Sequence, residues 1–347
     1  MISNFIALLS DLHFGVRKNS EVYFESQKKF IINQFIPYLK ERNINKIFFL
    51  GDMFDNRSSI NTKIHNEVFN LFDEYFKEFE IVILVGNHDC YFNSSVEINS
   101  IKFLGKFKNI RIVENPEIIE HNDKKILLVP WVINFSSFIT YISNKNFDVS
   151  FGHYNIKGFH YNKYKTSEDG LDGFLFGNKC KKVFSGHFHI RSKQTFKDCD
   201  IIYIGSPYQL TRSDIDEERG FTILNTDDLS YEYIDNKNSL KFIKLEYPKI
   251  FNRNLIEGNI IDVHVKYDKN YSEEKIDNYI KQITEFDPAF PPQIVIETDE
   301  MLDSSFDITK LNFSSIPDLM MEYINTIDIK NREDVFNILL DLYSATK

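Results

Sequence analysis

The sequence predicts an α/β protein, because short apolar runs alternate with amphipathic stretches through most of its 347 residues. Two observations carry this prediction. The first three apolar runs are separated by stretches with helical periodicity, an order typical of parallel β-α-β units. Most runs also end in Gly, Asp, Asn or His, which is typical of strands that leave a sheet through a polar turn.

Six buried strands and two helices are predicted in the first two thirds of the chain. The strands lie at residues 5–9, 46–50, 81–85, 126–129, 147–151 and 182–184, and the helices at 22–42 and 62–79. Later runs are short and separated by turns, which predicts a second, largely antiparallel sheet from residues 201–204, 221–224, 231–234 and 242–245.

The pattern changes around Pro248. Residues 259–266, 272–286 and 293–297 are typical of a strand, a helix and a strand, which predicts a small separate α/β unit. Two short amphipathic helices are predicted at 317–327 and 332–343. We therefore predict three domains, at residues 1–247, 248–305 and 306–347.

Composition narrows the classes of function. The net charge of −10 argues against a strong stand-alone nucleic-acid binder, because affinity for phosphate comes mainly from Lys and Arg. Bound divalent cations or a basic partner would offset that charge locally. Three cysteines without CxxC spacing predict free thiols in a reducing compartment. Without a membrane-length apolar run or a signal peptide pattern, we expect a cytoplasmic protein and no membrane partner.

Side chains that can bind metal ions follow five of the predicted strands. Because ligands bind at the carboxyl ends of strands in open α/β sheets, these five loops are predicted to form one cluster. The segments are Ser10-Asp11-Leu12-His13, Gly51-Asp52-Met53-Phe54-Asp55, Gly86-Asn87-His88-Asp89, Gly152-His153 and Ser185-Gly186-His187-Phe188-His189.

Carboxylate and amide oxygens together with imidazole nitrogens suit Mn²⁺, Fe²⁺, Zn²⁺ or Mg²⁺, and the lack of thiolates argues against a structural zinc site. Asp52 could bridge two ions. A pair of ions about 3.5–4 Å apart can bind a phosphate oxygen and activate a water for its hydrolysis. Each motif alone could be an Asx-rich turn or a pair of satisfied histidines, but five in this order favour a metal site.

The order of these motifs resembles that of the calcineurin-like metallophosphoesterase superfamily. More closely, the chain resembles the SbcD-type nuclease subunit of double-strand-break repair complexes, in the compact form found in large tailed phages. The likeness continues through residues 203–207, 210–211, 219–221 and 319–324. It implies a four-layer α/β/β/α sandwich with a small α/β capping domain and C-terminal helices.

The resemblance also implies roles for the motif residues. One metal would be held by Asp11, His13, Asp52 and His189, and the other by Asp52, Asn87, His153 and His187. His88 would lie beside the scissile phosphate as a catalytic residue, and Asp55 and Asp89 would orient His88 or the ligands.

The family likeness further implies a manganese-dependent exonuclease and endonuclease that acts on DNA with an SMC-like ATPase subunit of the SbcC type. A homodimer is expected through helices after the second and third motifs. The two C-terminal helices would dock on the coiled coil of the ATPase, although packing against their own domain is an equal alternative on pattern alone.

Two other functions stay open at this stage. A phosphatase or a small-molecule phosphodiesterase would use the same metal site. Against it, the phosphatase branch usually has Arg before GNH and Glu after it, where this chain has Val85 and Asp89. A third hypothesis is a scaffold subunit of a recombination complex, in which catalysis is incidental.

Several residues near the motifs are weaker candidates for contact with DNA. Arg17, Lys18, Arg57 and Arg212 could bind phosphates, but a solvated surface charge is the commoner role for each. Tyr208 is a candidate for stacking on a base or sugar.

Overall fold

The computed structural model describes residues 4–163, 165–266, 272–297, 324 and 331–345. Contacts divide the chain into two compact units. One comprises Met1–Val265 with Ser272–Val295, and the other comprises Lys266–Tyr271 with Ile296–Lys347.

The first unit contains a six-stranded sheet in the order β16-β15-β1-β2-β3-β6. Strands β1, β2, β3 and β6 are parallel, while β15 is antiparallel to β1 and to β16. The parallel strands are buried almost throughout because helices cover one face and a second sheet covers the other. Their bounds are β1 Phe5–Leu9, β2 Lys46–Phe49, β3 Glu80–Leu84, β6 Ile110–Val113, β15 Gly220–Asn225 and β16 Tyr231–Asp235.

The second sheet also has six strands, in the order β13-β14-β12-β9-β8-β7. The four inner strands are parallel and the two edge strands are antiparallel to their neighbours. The bounds are β7 Glu117–His121, β8 Lys124–Val129, β9 Val149–Gly152, β12 Lys182–Ser185, β13 Ser192–Phe196 and β14 Cys199–Tyr203.

The two sheets pack face to face. Ile6, Leu8 and Phe48 of the first sheet share one buried cluster with Phe151 and Phe184 of the second, and the Phe48 and Phe151 ring centroids are 5.0 Å apart. Helices cover the outer face of the first sheet, and a further apolar cluster, which includes a helix, covers that of the second. This arrangement confirms the predicted α/β/β/α layers. The helices of this sandwich are α1 Glu21–Phe30, α2 Ile36–Glu41, α3 Thr62–Tyr75 and α4 Phe135–Ser143.

The predicted helix at 22–42 is continuous but not uniform. A π-helical turn, Ile31–Phe35, joins α1 to α2. Pro37 occupies the start of α2, and its nitrogen has no hydrogen to donate to the preceding turn, which accounts for wider hydrogen bonding there. The helix therefore keeps its apolar face on the sheet across the proline, with Phe30, Ile31 and Phe35 buried.

The expectation of one largely antiparallel sheet from the later runs is wrong. Strand β14 lies within the second sheet, parallel to β12, while β15 and β16 extend the first sheet. Strand β17, Phe242–Glu246, is parallel to β18, Ile260–Lys266, in a separate three-stranded sheet with β19, Gln293–Glu297. Short apolar runs predict strands, but the partner of each strand depends on contacts distant in sequence.

The small sheet carries two helices, α5 Arg253–Ile256 and α6 Glu273–Thr284. This agrees with the predicted strand-helix-strand order, although the sheet begins at Phe242, before residue 248. Helix α7, Arg332–Ala345, corresponds to the predicted helix at 332–343. The predicted helix at 317–327 lies outside the described residues except for Ile324, which is helical and buried.

Two short hairpins stand apart from the sheets, β4 Cys90–Phe92 with β5 Ser95–Asn99, and β10 His160–Asn162 with β11 Lys165–Thr166. The first hairpin separates the third motif from a short 3-10 helix, Lys102–Lys106, where a helix was expected after that motif. All three cysteines are free and buried. Among the helices in the described part of the chain, none is long and apolar enough to cross a membrane.

Candidate metal centre

All five motif loops meet at one edge of the two-sheet sandwich. The loops after β1, β2 and β3 bring Asp11, His13, Asp52 and Asn87 from the first sheet. The loops after β9 and β12 bring His153, His187 and His189 from the second. The seven residues predicted to bind metal therefore lie together, although they come from two separate sheets.

These side chains form a buried floor and a partly exposed rim. Asp11, His13, Asp52 and His153 are at most 2% exposed. Asn87, His88, His187 and His189 are only partly buried. The centre is therefore closed below and accessible to a substrate from one side.

A first group comprises Asp11, His13 and His189, whose potential ligand atoms all lie within 4.8 Å of one another. Nε2 of His13 and Nε2 of His189 are 3.1 Å apart. Each of these nitrogens is 4.0 Å from Oδ1 of Asp11. One carboxylate and two imidazoles thus converge on a common point.

A second group comprises Asp52, His153 and His187, again within 4.8 Å. Oδ1 of Asn87 lies 2.9 Å from Nε2 of His153 and 2.9 Å from Nδ1 of His187. Oδ2 of Asp52 is 3.3 Å from Nε2 of His153 and 3.8 Å from Nε2 of His13. Asp52 therefore lies between the two groups.

These separations fit divalent cations. A cation about 2.1 Å from each ligand places neighbouring ligands about 3.0–3.4 Å apart in tetrahedral or octahedral geometry. Two neutral imidazoles that face each other through Nε2 share at most one hydrogen bond, whereas a cation can accept both lone pairs. The set of nitrogen and oxygen donors also matches the preference of transition metals and magnesium.

The backbone fixes which nitrogen of His153 faces the centre. Its Nδ1 lies 2.6 Å from the carbonyl oxygen of Leu50. A carbonyl only accepts, so Nδ1 carries the hydrogen and the lone pair of Nε2 points to Asp52 and Asn87.

His88 lies against the first group. Its ring centroid is 4.8 Å from that of His13. Nδ1 of His88 donates to the backbone carbonyl of Asp55 at 2.7 Å, so the predicted orientation by Asp55 comes from its main chain. The Asp55 carboxylate instead lies 3.5 Å from Nδ1 of His13.

Asp89 ties two of the motif loops together. Its buried carboxylate accepts hydrogen bonds from the backbone N–H groups of Asp52, Met53 and Gly86 at 2.9–3.0 Å. It makes no hydrogen bond to His88 within the described chain. The side chain therefore holds the loops that carry Asp52 and Asn87.

Close packing explains two of the motif glycines. A Cβ on Gly86 would lie 2.2 Å from Oδ1 of Asp52, and one on Gly51 would lie 2.4 Å from Nδ1 of His153. Gly51 also has a φ of +98°, which side chains rarely adopt. Asp11, His13, Asp52 and His187 themselves have φ between 46° and 87°, so four of the seven predicted ligands occupy strained turns.

Asp52 and His153 stabilise each other in their charged forms. Burial opposes the ionised form of Asp52, but the neighbouring His153 holds the pKa of the carboxyl well below its usual range. Burial likewise opposes the imidazolium of His153, yet Asp52 raises the pKa of that imidazole to about 9. Burial and the charge of His153 lower the pKa of His187 to about 3.

Trp131 was not predicted from the sequence as a site residue, yet its indole forms one wall of the second group. Its ring centroid is 5.0 Å from that of His187 and 6.0 Å from that of His153. Trp131 lies in the loop after β8, at the same carboxyl edge of the sheet as the motif loops. It was not predicted because tryptophan does not bind metal ions.

Three of the four basic candidates have structural partners, and the fourth, Lys18, is exposed. Arg17 donates to the carbonyl of Leu210, and Arg212 forms an ion pair with Asp262. Arg57 donates to the side chain of Asn93. Tyr208 is 3% exposed and its hydroxyl donates to the carbonyl of Leu12, so it packs in the core and offers no stacking surface.

The sequence from residue 6 to residue 191 matches the family model of the calcineurin-like phosphoesterases. This chain belongs to the calcineurin-like phosphoesterase family. The matched segment covers more than half of the chain and contains all five motif loops. The protein is therefore a metal-dependent phosphoesterase, and the groups around Asp11 and Asp52 are where a divalent metal can bind.

Known proteins that are similar to the chain include these three. Exonuclease subunit 1 of Enterobacteria phage T4 is 27% identical over 96% of this chain and 97% of its own length. Putative phosphoesterase 078R of Invertebrate iridescent virus 3 is 26% identical over 59% of this chain and 57% of its own. A solved structure described as a novel archaeal phosphodiesterase has a TM-score of 0.37 and 15% identity, over 67% of this chain and 99% of that one.

Proposed function

We propose that this phosphoesterase is a two-metal, manganese-type nuclease that hydrolyses the phosphodiester backbone of DNA. The observation that supports it is the meeting of seven oxygen and nitrogen donors from two sheets, with neighbouring atoms 2.9–4.0 Å apart. One group offers Asp11, His13 and His189, and the other offers Asn87, His153 and His187. Asp52 lies between them as the shared ligand.

Two divalent cations, if bound, would supply Lewis-acid chemistry, polarising a phosphate and activating water for attack. The protein contributes the rest. The floor residues Asp11 and Asp52 are closed to solvent, and the rim is open to the substrate. His88 is the proposed catalytic residue. Its Nδ1 donates a hydrogen bond to the Asp55 carbonyl, so Nε2 is the nitrogen that would hold a proton for the leaving oxygen. Asp55 and Asp89 position His88 and the ligand loops.

DNA is the proposed substrate because the full-length relative in phage T4 is named as an exonuclease subunit. The residue after the GNH segment is Asp89, where the phosphatase branch usually has glutamate. We propose that residues 248–305 are the capping domain that positions DNA, and the separate three-stranded sheet of β17, β18 and β19 supports this proposal. We expect exonuclease action on duplex ends and endonuclease action on single strands.

The word "subunit" in the name of that relative supports a partner for this chain as well. We propose an SMC-like ATPase of the SbcC type, in a recombination and repair complex in the cytoplasm of a bacterial host. The C-terminal region 306–347 would dock on its coiled coil. The exposed side chain of Ile338 on α7, at 60%, supports such a contact. A homodimer stays a proposal, with α3 as the helix that could contribute to it.

One assay pair tests the proposed function. The purified chain is incubated with Mn²⁺ and end-labelled duplex or single-stranded DNA, and in parallel with a chromogenic phosphate monoester. We expect metal-dependent cleavage of DNA at a rate well above monoester hydrolysis, and stimulation by the ATPase. Hydrolysis of the monoester without cleavage of any DNA would overturn the assignment in favour of a phosphatase.

A further inference from the structure

The hairpin that follows the third motif exposes two aromatic side chains. Tyr91 is 49% exposed and Phe92 is 48% exposed, both on β4. Their rings meet edge to face, with centroids 4.7 Å apart and planes at 90°. Large aromatic side chains are usually at least mostly buried, so a pair at this exposure is a feature that needs an explanation.

The two rings form one exposed surface. Consecutive residues of a regular strand point to opposite faces, but the pairing of β4 with β5 is irregular between Cys90 and Phe92, and the rings of Tyr91 and Phe92 are in contact. This surface, which comprises Tyr91 and Phe92, is here called the aromatic platform.

The platform is firmly attached to the metal centre. Strand β4 begins one residue after Asp89, and the chain returns at Ser100, whose backbone N–H donates to the Asp89 carbonyl at 2.9 Å. Cys90 Sγ donates to the carbonyl of Gly86 at 3.2 Å. Both ends of the hairpin are thus fixed to the loop that carries Asn87 and His88.

The aromatic platform lies close in sequence to the loop that carries His88. Tyr91 and Phe92 are three and four residues beyond His88, and an extended strand spans about 3.4 Å per residue. A base of a strand bound at the metal centre is therefore within reach of the platform.

The hairpin has little charge with which to bind phosphate. Glu97 is the single charged residue between positions 90 and 99. Its own residues offer aromatic rings, which stack on bases of any sequence. The basic side chains that contact the hairpin, Arg57 at Asn93 and Lys102 at the Glu97 carbonyl, are engaged in hydrogen bonds there. This chemistry fits the unpaired base of a single strand or a frayed end better than the outside of a duplex.

We propose that Tyr91 and Phe92 stack on an unpaired nucleobase near the bond that is cut. The inference rests on the proposed function of DNA cleavage and assigns a specificity-determining site to it. A base held there keeps the strand from sliding, so the scissile phosphate stays beside His88.

The test compares the variants Tyr91→Ala, Phe92→Ala and the double variant with Phe174→Ala. Phe174 is also an exposed aromatic, at 59%, but lies on a different part of the fold. Each protein is assayed with Mn²⁺ on a single-stranded oligonucleotide, on copies with one abasic site at each position near the cut, and on bis(p-nitrophenyl) phosphate, which has no base.

We expect the double variant to cleave the oligonucleotide about tenfold more slowly, as expected from the loss of one stacked base. Hydrolysis of bis(p-nitrophenyl) phosphate should not change, and Phe174→Ala should behave as the unmodified protein. An abasic site at one position near the cut should slow the unmodified protein equally and should slow the double variant no further.

Three results would overturn the proposal. Oligonucleotide cleavage could be unchanged in the double variant. The double variant could be slowed equally on bis(p-nitrophenyl) phosphate, which would indicate damage to the loop that carries Asn87 and His88. Analytical ultracentrifugation could show that the variant loses self-association while its abasic profile stays normal, which would make the platform a contact between copies.

Failure of the proposed function is distinguishable from failure of this inference. If the unmodified protein cuts no DNA, binding of an oligonucleotide that contains 2-aminopurine is measured with Ca²⁺. Fluorescence quenching by the unmodified and Phe174→Ala proteins, but not by the double variant, would support the platform without cleavage. Equal quenching by all of them would exclude it.

Discussion

Nε2 of His13 lies 3.1 Å from Nε2 of His189, although the two residues are 176 positions apart and follow strands of different sheets. A single hydrogen bond joins these nitrogens only if one ring carries its hydrogen on Nε2 and the other carries it on Nδ1. A divalent cation satisfies both lone pairs at once. The contact therefore couples metal binding to the packing of the two sheets.

Removing divalent metal should lower the thermal stability of the protein. A cation that binds only the folded state stabilises it by about 2.7 kcal/mol at a concentration 100 times its dissociation constant, which corresponds to roughly 5 °C in melting temperature for a chain of this size. Differential scanning fluorimetry with EDTA, and after return of Mn²⁺, measures the shift. An equal melting temperature in both conditions would count against a resident metal.

Asp52→Asn and His189→Ala should differ in metal content. Oδ2 of Asp52 lies near imidazoles of both groups, while His189 contacts only the first. We expect loss of both cations in Asp52→Asn and of about one in His189→Ala. Inductively coupled plasma mass spectrometry of the dialysed proteins counts the ions. Two cations retained by Asp52→Asn would refute the shared role.

His88→Ala should lose cleavage but keep its metal. A group that transfers a proton in the transition state contributes about 100- to 10,000-fold, and His88 lies beside the first group without belonging to the proposed ligand sets. The fall should appear in single-turnover rates, with unchanged metal content and melting temperature. If the variant retained full biological activity while DNA cleavage was abolished, the scaffold hypothesis would be preferred.

Gly86→Ala should disturb the centre by steric contact alone. The added Cβ would lie 2.2 Å from Oδ1 of Asp52 and 2.3 Å from its backbone nitrogen. Overpacking of this kind costs about 1–3 kcal/mol, and Asp52 must move to relieve it. Urea denaturation and metal content both report the change.

Gly105→Ala is the matched control for that variant. Its Cβ would meet only Cγ1 of the Ile112 side chain, at 3.2 Å, so we expect a cost below about 1 kcal/mol and normal metal binding. If the two variants bound metal equally well, close packing at Gly86 would not be what orients Asp52.

The motif loops could be located from the sequence because local signals define them. An apolar run followed by Gly and Asp, or by Gly and His, identifies the end of a buried strand and the polar residues beyond it. Strand β1 has the predicted bounds, and β2 and β3 begin or end within one residue of theirs. The role of Asp55 was harder to predict from the sequence, because its contact with His88 is made by a backbone carbonyl.

The hairpin after Asp89 could not be predicted in the same way. Residues 90–99 are too short and too mixed in polarity for a clear period. Only the folded chain places Ser100 against Asp89 and brings the Tyr91 and Phe92 rings together.

The sequence by itself determined the layered α/β class, the set of metal-competent side chains and their position after strands, because these depend on neighbours within a few residues. The tertiary structure alone decided that the donors come from two facing sheets, that β14 and β15 enter different sheets, and that Asp52 lies between both groups. Those features depend on which strands pair and how the sheets pack, and such contacts join residues more than 100 positions apart.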